Sequence, residues 1–555
     1  MFTAVKKFQH FLSRNKLESK PFQTECFRWC MKKEQQQAKQ DQAKQDQAKQ
    51  DQAKQDQAKQ QEEQPQGAKP GGILALEMGL GKTIVMLGLI KCNIKTQTLI
   101  VLPRSLLDQW ERCILKFCGA KPLVYHGSRP KNMKMSLVDI KTYPIVVTTY
   151  GQISLPSVKQ ANKGRRKSCL HDILWSRVIC DEAHHVSHQK TNEHKGIKIL
   201  QAEICWLVTG TPLQNNEKEL YNLYSLLGLS SCARYYDAGN NYAITAKEMM
   251  FHSTKAGAGL VLPALHEHTV NLEWHASDQE LAWHIHSLLR FCNVPQKALA
   301  LQIEAECENV NALRMKYLAK AQQVCVYPPM LKGVPPLPHY EVSPSVVGNL
   351  LGVEGGNPLG GEGARPLKIT AVIRTIIERK ANGCGKIVFC HYYTEIDVLC
   401  SHLLQADPTL RLAKFDGRVP NSKRATILNE PVDILIAQIK MCREGLNLQD
   451  HYSEVYFPSP DFNPATEQQA IARCWRIGQK KPVHVFRFLM GGAPPGPPLD
   501  EVDILGSITP ETGGVGGYPP GGVGAEPLTL DIFSSQLHAK KREFVNKMTM
   551  AATTF

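Results

Sequence analysis

The chain has 555 residues, several times a usual single-domain size, so two or more folded domains with insertions are expected. Apolar types make up 43% and charged types 21%, which excludes wholesale disorder. A net charge of +15 points to a polyanionic partner, nucleic acid ahead of an acidic membrane. No apolar run approaches the roughly 18–20 residues that cross a bilayer, and the opening residues lack the h-region of a secretory signal; no membrane association is expected. The 17 Cys are scattered without a Cys-x-x-Cys pair. They read as reduced thiols of a cytosolic or nuclear protein, with no zinc site of the usual spacing.

In chain order, residues 1–33 form an N-terminal segment and 34–66 a Gln/Lys/Asp-rich spacer. The spacer contains a five-residue repeat over 37–61. A five-residue period steps about 140° round a helix, so it builds no apolar face. From 67 to 230 short β-type runs alternate with helical stretches: Gly72–Leu76, Thr98–Leu102, Ile145–Thr149, Val178–Cys180 and Ile204–Val208. That alternation predicts a parallel sheet flanked by helices. Residues 231–332 read as a helical insertion, and 333–366 as a Pro/Gly linker. A second alternating region, 367–490, carries the runs Lys386–Cys390, Val432–Ile436, Glu454–Phe457 and Val483–Phe488. Residues 491–527 form a Gly/Pro-rich insertion, and 528–555 a basic helix.

The sharpest motif is Glu77-Met-Gly-Leu-Gly-Lys-Thr83, after an apolar strand and before a helical run. Glycines let the backbone curl so that the N–H groups of Met78, Gly79, Leu80, Gly81 and Ile84 face phosphate oxygens. Lys82 would reach the β and γ phosphates, and the Thr83 hydroxyl would ligate Mg²⁺. The bland alternative is a plain turn, since the general pattern wants a Gly where Leu76 stands. Further on, Val178-Ile-Cys-Asp-Glu-Ala-His-His185 puts two carboxylates at a strand end. Asp181 can hold Mg²⁺ and Glu182 can polarise an attacking water; alternatively, the pair only caps a helix. Arg473 and Arg476, three apart on a predicted helix, are either two solvated arginines or two arginine fingers for a γ-phosphate.

These blocks, in this order, resemble the helicase superfamily-two motor, specifically the Swi/Snf-type DNA translocases. Pro21-Phe-Gln-Thr-Glu-Cys-Phe-Arg-Trp29 resembles the Q motif, with Gln23 as the adenine contact. Leu99-Ile-Val-Leu-Pro-Arg-Ser-Leu-Leu-Asp-Gln-Trp-Glu111 and Val147-Thr-Thr-Tyr150 resemble motifs Ia and Ib. Leu207-Val-Thr-Gly-Thr-Pro-Leu-Gln-Asn-Asn216 is similar to motif III, Gly445-Leu-Asn-Leu448 to motif V and Arg473-Cys-Trp-Arg-Ile-Gly-Gln479 to motif VI. Thr529-Leu-Asp-Ile and the basic 540–547 run look like the family's closing helix. The likeness spans about residues 20–548. It implies an α/β fold of two RecA-like lobes, parallel sheets flanked by helices, with helical insertions and low-complexity linkers. It also implies ATP and Mg²⁺ as cofactors.

By the same matching, nucleic-acid contacts fall on Arg104, Ser105, Thr149, Gln214, Asn215, His391 and Asn447, each equally plausible as a loop-capping residue. The basic run 163–167 reads as a phosphate contact, an import signal or a solvated loop. Leu76, Ser187 and Met441-Cys-Arg-Glu-Gly445 depart from the family pattern. The function implied is a DNA-stimulated ATPase that steps along duplex DNA and displaces or remodels DNA-bound proteins or nucleosomes. A strand-separating helicase of the same superfamily and a catalytically inert DNA-binding scaffold are the alternatives. The nucleus is the expected compartment, or a host's nucleus or cytoplasm for a viral chain. Deleting residues 37–61 should leave ATP turnover within a few-fold of the full chain in a steady-state phosphate-release assay, because a solvated tract at a loop position is cheap to remove.

Overall fold

The computed structural model describes residues 2–35, 69–127, 135–164, 166–212, 217–229, 248–274, 282, 310–331, 367–442, 446–491, 529–532, 534–535, 538–539 and 541. Two compact units emerge, one within Met1–Leu262 and the other within Pro263–Lys540. The repeat, the Pro/Gly linker and most of the C-terminal basic helix lie outside the described residues, as do the insertion beyond Gly491 and the candidate residues Gln214 and Asn215.

The first unit is a seven-stranded, wholly parallel sheet. Its strands are β1 (Gly71–Leu76), β2 (Thr98–Leu102), β3 (Leu123–Tyr125), β4 (Ile145–Thr149), β5 (Arg177–Asp181), β6 (Cys205–Thr209) and β7 (Met250–Ser253). They lie in the order β3-β4-β2-β5-β6-β1-β7. β1 to β6 are buried along their whole length, as a parallel sheet covered on both faces requires. Side chains alternate between two cores. Trp206 and Val208 of β6 join Phe8, Phe27, Leu87 and Trp110 on one face; Cys205 and Leu207 join Trp175, Leu220 and Tyr224 on the other. Each buried side chain of this size contributes about 1.5–3 kcal/mol.

Three helices cover the first face: α1 (Phe2–Arg14), α2 (21–35) and α3 (Lys82–Cys92). Phe8 of α1 stacks on Phe27 of α2, ring centroids 4.2 Å apart. The end of α2 is bonded to the sheet by a buried ion pair. Arg177 Nε and Nη2 donate to the two Glu34 carboxylate oxygens at 2.7 and 2.6 Å, and both side chains are fully buried. Trp206 Nε1 donates to Glu34 Oε1 at 2.9 Å and Asn93 Nδ2 to Oε2 at 2.5 Å. The carboxylate is thus satisfied on every side, the condition under which a desolvated charge is tolerated.

The second unit is a six-stranded parallel sheet of β8 (Leu265–Leu272), β9 (Gly385–Cys390), β10 (Leu412–Phe415), β11 (Ile434–Gln438), β12 (Tyr452–Phe457) and β13 (Val483–Met490), ordered β10-β11-β9-β12-β13-β8. Glu454, fully buried in β12, accepts from Arg379 Nε at 2.7 Å, Asn382 Nδ2 at 2.7 Å and Tyr456 Oη at 2.8 Å. The chain returns from its second insertion through Thr529, whose hydroxyl donates to the Met490 carbonyl at 2.8 Å. Asp531 pairs with Lys368, both buried.

The two parallel sheets match the expected fold class, but four strands were not legible in the sequence. β7 and β8 fall inside 231–332, which reads as a helical insertion, and the described helix there is Val310–Val326. β7 completes the first sheet and β8 edges the second, so this stretch is shared between the units. The reason is composition: Leu265–Leu272 is broken by two His, a Glu and an Asn, and all of its residues are partly or fully exposed, so it lacks an apolar run. β3 and β10 are only three and four residues long. Glu34→Ala should destabilise the first unit by about 3–5 kcal/mol, since it strands the Arg177 charge inside; chemical denaturation followed by tryptophan fluorescence measures it, and a loss below 1 kcal/mol would show the pair to be dispensable.

Candidate functional site

The sequence-predicted residues of the first unit gather at the carboxyl ends of its strands, where parallel sheets bind ligands. β1 leads into Glu77–Gly81, and α3 begins at Lys82. Gly81 has φ 83°, a left-handed conformation that lets the loop turn directly into the helix, and no side chain caps α3. The first-turn N–H groups therefore remain available to an anion. Met78 and Leu80 are buried, so these two offer backbone and not side chain. Thr83 is half-buried at the loop–helix junction. Lys82 Nζ donates to the Leu76 carbonyl at 3.3 Å. It also lies close to the end of β6, since a Cβ on Gly210 would stand 2.8 Å from it.

Gln23 of α2 is buried against the loop. Its Nε2 donates to the Leu80 carbonyl at 3.0 Å, and a Cβ on Gly81 would meet it at 2.6 Å. In this conformation the amide group is committed to holding the loop. Glu77 holds the other side: its Oε2 accepts from Lys255 N at 2.7 Å, and its backbone N–H donates to the Ser253 carbonyl at 2.9 Å.

Asp181 ends β5, with β6 between it and β1, which puts it roughly 10 Å across the sheet from the strand that bears the phosphate loop. It is buried. Trp110 Nε1 donates to its Oδ2 at 2.7 Å and Glu182 N to its Oδ1 at 3.0 Å. Burial first, then the Glu182 charge, push its pKa up to about 7; Lys82 and the Trp110 bond pull the other way. Glu182 sits at φ 49°, a left-handed position rare for a residue with a side chain and the sort of strain found at functional sites. His184 Nδ1 lies 3.4 Å from Glu182 Oε2 and 3.3 Å from Thr209 Oγ1, linking the acidic motif to the end of β6. Trp110 belongs to the motif Ia string, yet its bond to Asp181 spans 71 positions, and no local spacing announces it.

The nucleic-acid candidates are less uniform. Arg104 and Ser105 form an exposed turn after β2. Thr149 ends β4 and is only 4% exposed. Of the basic run, Lys167 pairs with Asp172 at 2.7 Å.

In the second unit, Arg473 and Arg476 do not share a helix face as predicted. The helix Pro464–Ile471 ends before Arg473, whose carbonyl accepts from Leu448 N at 3.1 Å, and Gly478 then turns the chain at φ 101°. The two arginines lie on the turn that follows. Arg476 Nη1 donates to Asn447 Oδ1 at 2.5 Å, joining two predicted residues. Burial and then the Arg473 charge hold its pKa below the usual arginine value. Trp475 packs beneath this turn and donates to the Pro263 carbonyl at 2.8 Å. His391 follows β9 and is half-buried, its Nδ1 4.0 Å from Asp461 Oδ2.

The SNF2-related domain model matches residues 22–318, more than half of the chain, and the helicase conserved C-terminal domain model matches 367–478. The chain belongs to the SNF2-related family. Saccharomyces cerevisiae ISWI chromatin-remodeling complex ATPase ISW2 is 25% identical over 450 residues, covering 76% of this chain and 37% of that one. Schizosaccharomyces pombe DNA repair protein rad8 is 31% identical over 191 residues, 30% of this chain and 16% of that one. The probable global transactivator of Orgyia pseudotsugata multicapsid polyhedrosis virus is 24% identical, covering 76% of this chain and 82% of that one. This SNF2-related chain thus spans under two fifths of ISW2 and most of the viral relative. The Sulfolobus solfataricus SWI2/SNF2 ATPase core in complex with dsDNA aligns over 86% of this chain and 89% of that one at 19% identity, with a TM-score of 0.35, a likeness too loose to bear on the assignment.

The oxygen donors of Thr83 and Asp181 suit Mg²⁺, a hard cation. With Mg²⁺ held there, a proton and the metal would compete for the Asp181 carboxylate. Apparent Mg²⁺ affinity in the presence of nucleotide should therefore rise as pH increases through about 7. Trp110→Phe, which removes a donor that favours the ionised form, should shift that rise to higher pH. Titration of Mg²⁺ against a fluorescent ADP analogue between pH 6 and 8 measures both; a flat profile in the wild type would remove Asp181 from the metal site.

Proposed function

We propose that this protein is a DNA-dependent ATPase that couples ATP hydrolysis to movement along duplex DNA and so displaces or remodels DNA-bound proteins, nucleosomes among them. One observation carries the reading: in a member of the SNF2-related family, the uncapped start of α3 with Lys82 lies in the same unit as the buried Asp181–Glu182 pair, close enough for the Lys82 charge to act on Asp181.

The chemistry follows from the side chains. The open N–H groups of the loop and first turn of α3 bind phosphate oxygens, and the Lys82 ammonium exchanges the Leu76 carbonyl for the β and γ phosphates. Bound Mg²⁺ would neutralise phosphate charge, with the Thr83 hydroxyl and Asp181 as its protein partners. Trp110 at Oδ2 and the Glu182 N–H at Oδ1 fix the orientation of the Asp181 carboxylate. Glu182, held in its left-handed conformation, orients and polarises the attacking water. Arg473 and Arg476 stabilise charge on the γ-phosphate in the transition state. Gln23 couples α2 to the loop, so adenine contact and loop position are linked through one amide.

Exposed Arg104 and Ser105, together with Asn447, are the contacts proposed for the phosphate backbone, a mode of binding that gives affinity without sequence readout. The names of the relatives, a chromatin-remodelling ATPase and a DNA repair protein among them, support a role on nuclear or viral DNA.

Hydrolysis should be slow without nucleic acid, rise at least tenfold with duplex DNA, and rise less with single-stranded DNA or RNA. Equal stimulation by RNA would favour an RNA helicase, and no hydrolysis at all an inert scaffold. Lys82→Ala should abolish turnover while DNA binding persists in a gel-shift assay. Arg476→Ala should leave nucleotide binding intact and cut hydrolysis by roughly a thousandfold; loss of binding instead would make the residue structural.

A further inference from the structure

At the opposite end of α3 from Lys82, roughly 16 Å along the helix, the first unit carries a groove of about 740 Å³ between α1, the C-terminal end of α3 and the turn at Phe117–Gly119. Its charge is one-sided. Lys7, Arg14, Lys91 and Lys116 line it, all exposed, and no Asp or Glu is among its described lining residues. Its surface is also apolar. Phe11 forms the floor, Phe117 a half-buried wall, and Ile94 stands 79% exposed at the edge. Leu115, beside Lys116, is 55% exposed. The cations are held over this apolar surface: Lys116 Nζ lies 5.1 Å from the Phe117 ring centroid, and Lys91 Nζ donates to the Cys118 carbonyl at 3.0 Å.

The two properties together select a ligand class. A cationic surface alone would suit phosphates, and an apolar depression alone would suit any hydrophobic segment. Exposed Ile94 and Leu115 gain nothing from a convex rod of hydrated phosphates, whereas a chain that alternates carboxylates with large apolar side chains satisfies both. We propose that this groove docks an acidic, amphipathic segment of a partner protein, its aromatic or leucine side chains seated on Phe11 and Phe117 and its carboxylates on Lys7, Arg14 and Lys116. One wall, α1, precedes the residues matched by the SNF2-related model, so the groove is not built from the motor's own motifs alone. The proposal does not depend on the ATPase reading.

The test uses the full chain and a fluorescein-labelled synthetic peptide, Asp-Asp-Leu-Asp-Phe-Glu-Asp-Leu-Asp-Glu-Leu-Asp, read by anisotropy. A second peptide of the same charge, with Ser in place of every Leu and Phe, and a labelled duplex oligonucleotide run in parallel. The first peptide should bind with micromolar affinity, the Ser peptide at least tenfold more weakly. The double variant K7E/K116E and, separately, Ile94→Asp should each weaken the first peptide at least tenfold, with ATP turnover and thermal midpoint unchanged. Arg14→Glu provides an independent charge reversal should the double variant fold poorly. Equal binding of both peptides, peptide affinity unmoved by these variants, or duplex affinity that falls as much as peptide affinity in K7E/K116E would each overturn the proposal, the last by making the face a nucleic-acid surface.

Discussion

A carboxylate and a guanidinium buried together decide how the first unit is assembled. Glu34 closes α2 and Arg177 opens β5, 143 positions apart in the chain, and neither side chain is exposed to water. A charge removed from water must find its partners or the fold pays several kcal/mol. Glu34 finds Arg177, Trp206 and Asn93, from three different elements, so α2 is fixed in position along the sheet. Gln23 lies on that same helix. Its contact with the Leu80 carbonyl, and so the mooring of the phosphate loop, depends on a charge pair remote from it in sequence.

The same economy of buried polar groups recurs in the second unit. Glu454 gathers Arg379, Asn382, Lys386 and Tyr456, and Asp531 with Lys368 fastens the returning chain beside β13. Inserted low-complexity tracts interrupt the sequence of both units, yet the elements on either side of each tract are bound into one sheet or core. Long insertions at loops cost little beyond closure entropy, so the fold tolerates them as long as these anchors are made.

The candidate site includes the irregular backbone of the first unit. Gly81, in the loop that leads from β1 into α3, and Glu182, directly after β5, both occupy left-handed conformations. In the first, glycine removes the steric cost. In the second, a glutamate accepts it, with the Nδ1 of the buried His184 3.4 Å from its carboxylate. Trp110 adds a fixed donor to Asp181, so the acidic motif is oriented from a helix that lies outside it.

How much of this was legible in the sequence follows from the range of the forces involved. Mainly apolar runs announced nine of the thirteen described strands, because a strand buried on both faces is apolar along most of its length. The phosphate loop and the acidic pair were legible because phosphate and metal chemistry demand fixed residues within a few positions. β7 and β8 were not, since edge strands carry no such run. Arg473 and Arg476 were singled out by motif but expected on one helix face; that helix ends at Ile471, which periodicity does not register. Local composition thus determined the fold class and singled out the candidate reactive groups. Tertiary structure alone decided the Glu34–Arg177 pair, the Trp110–Asp181 bond and the cation-lined groove beside α1, because each depends on side chains that meet only after distant segments have packed together.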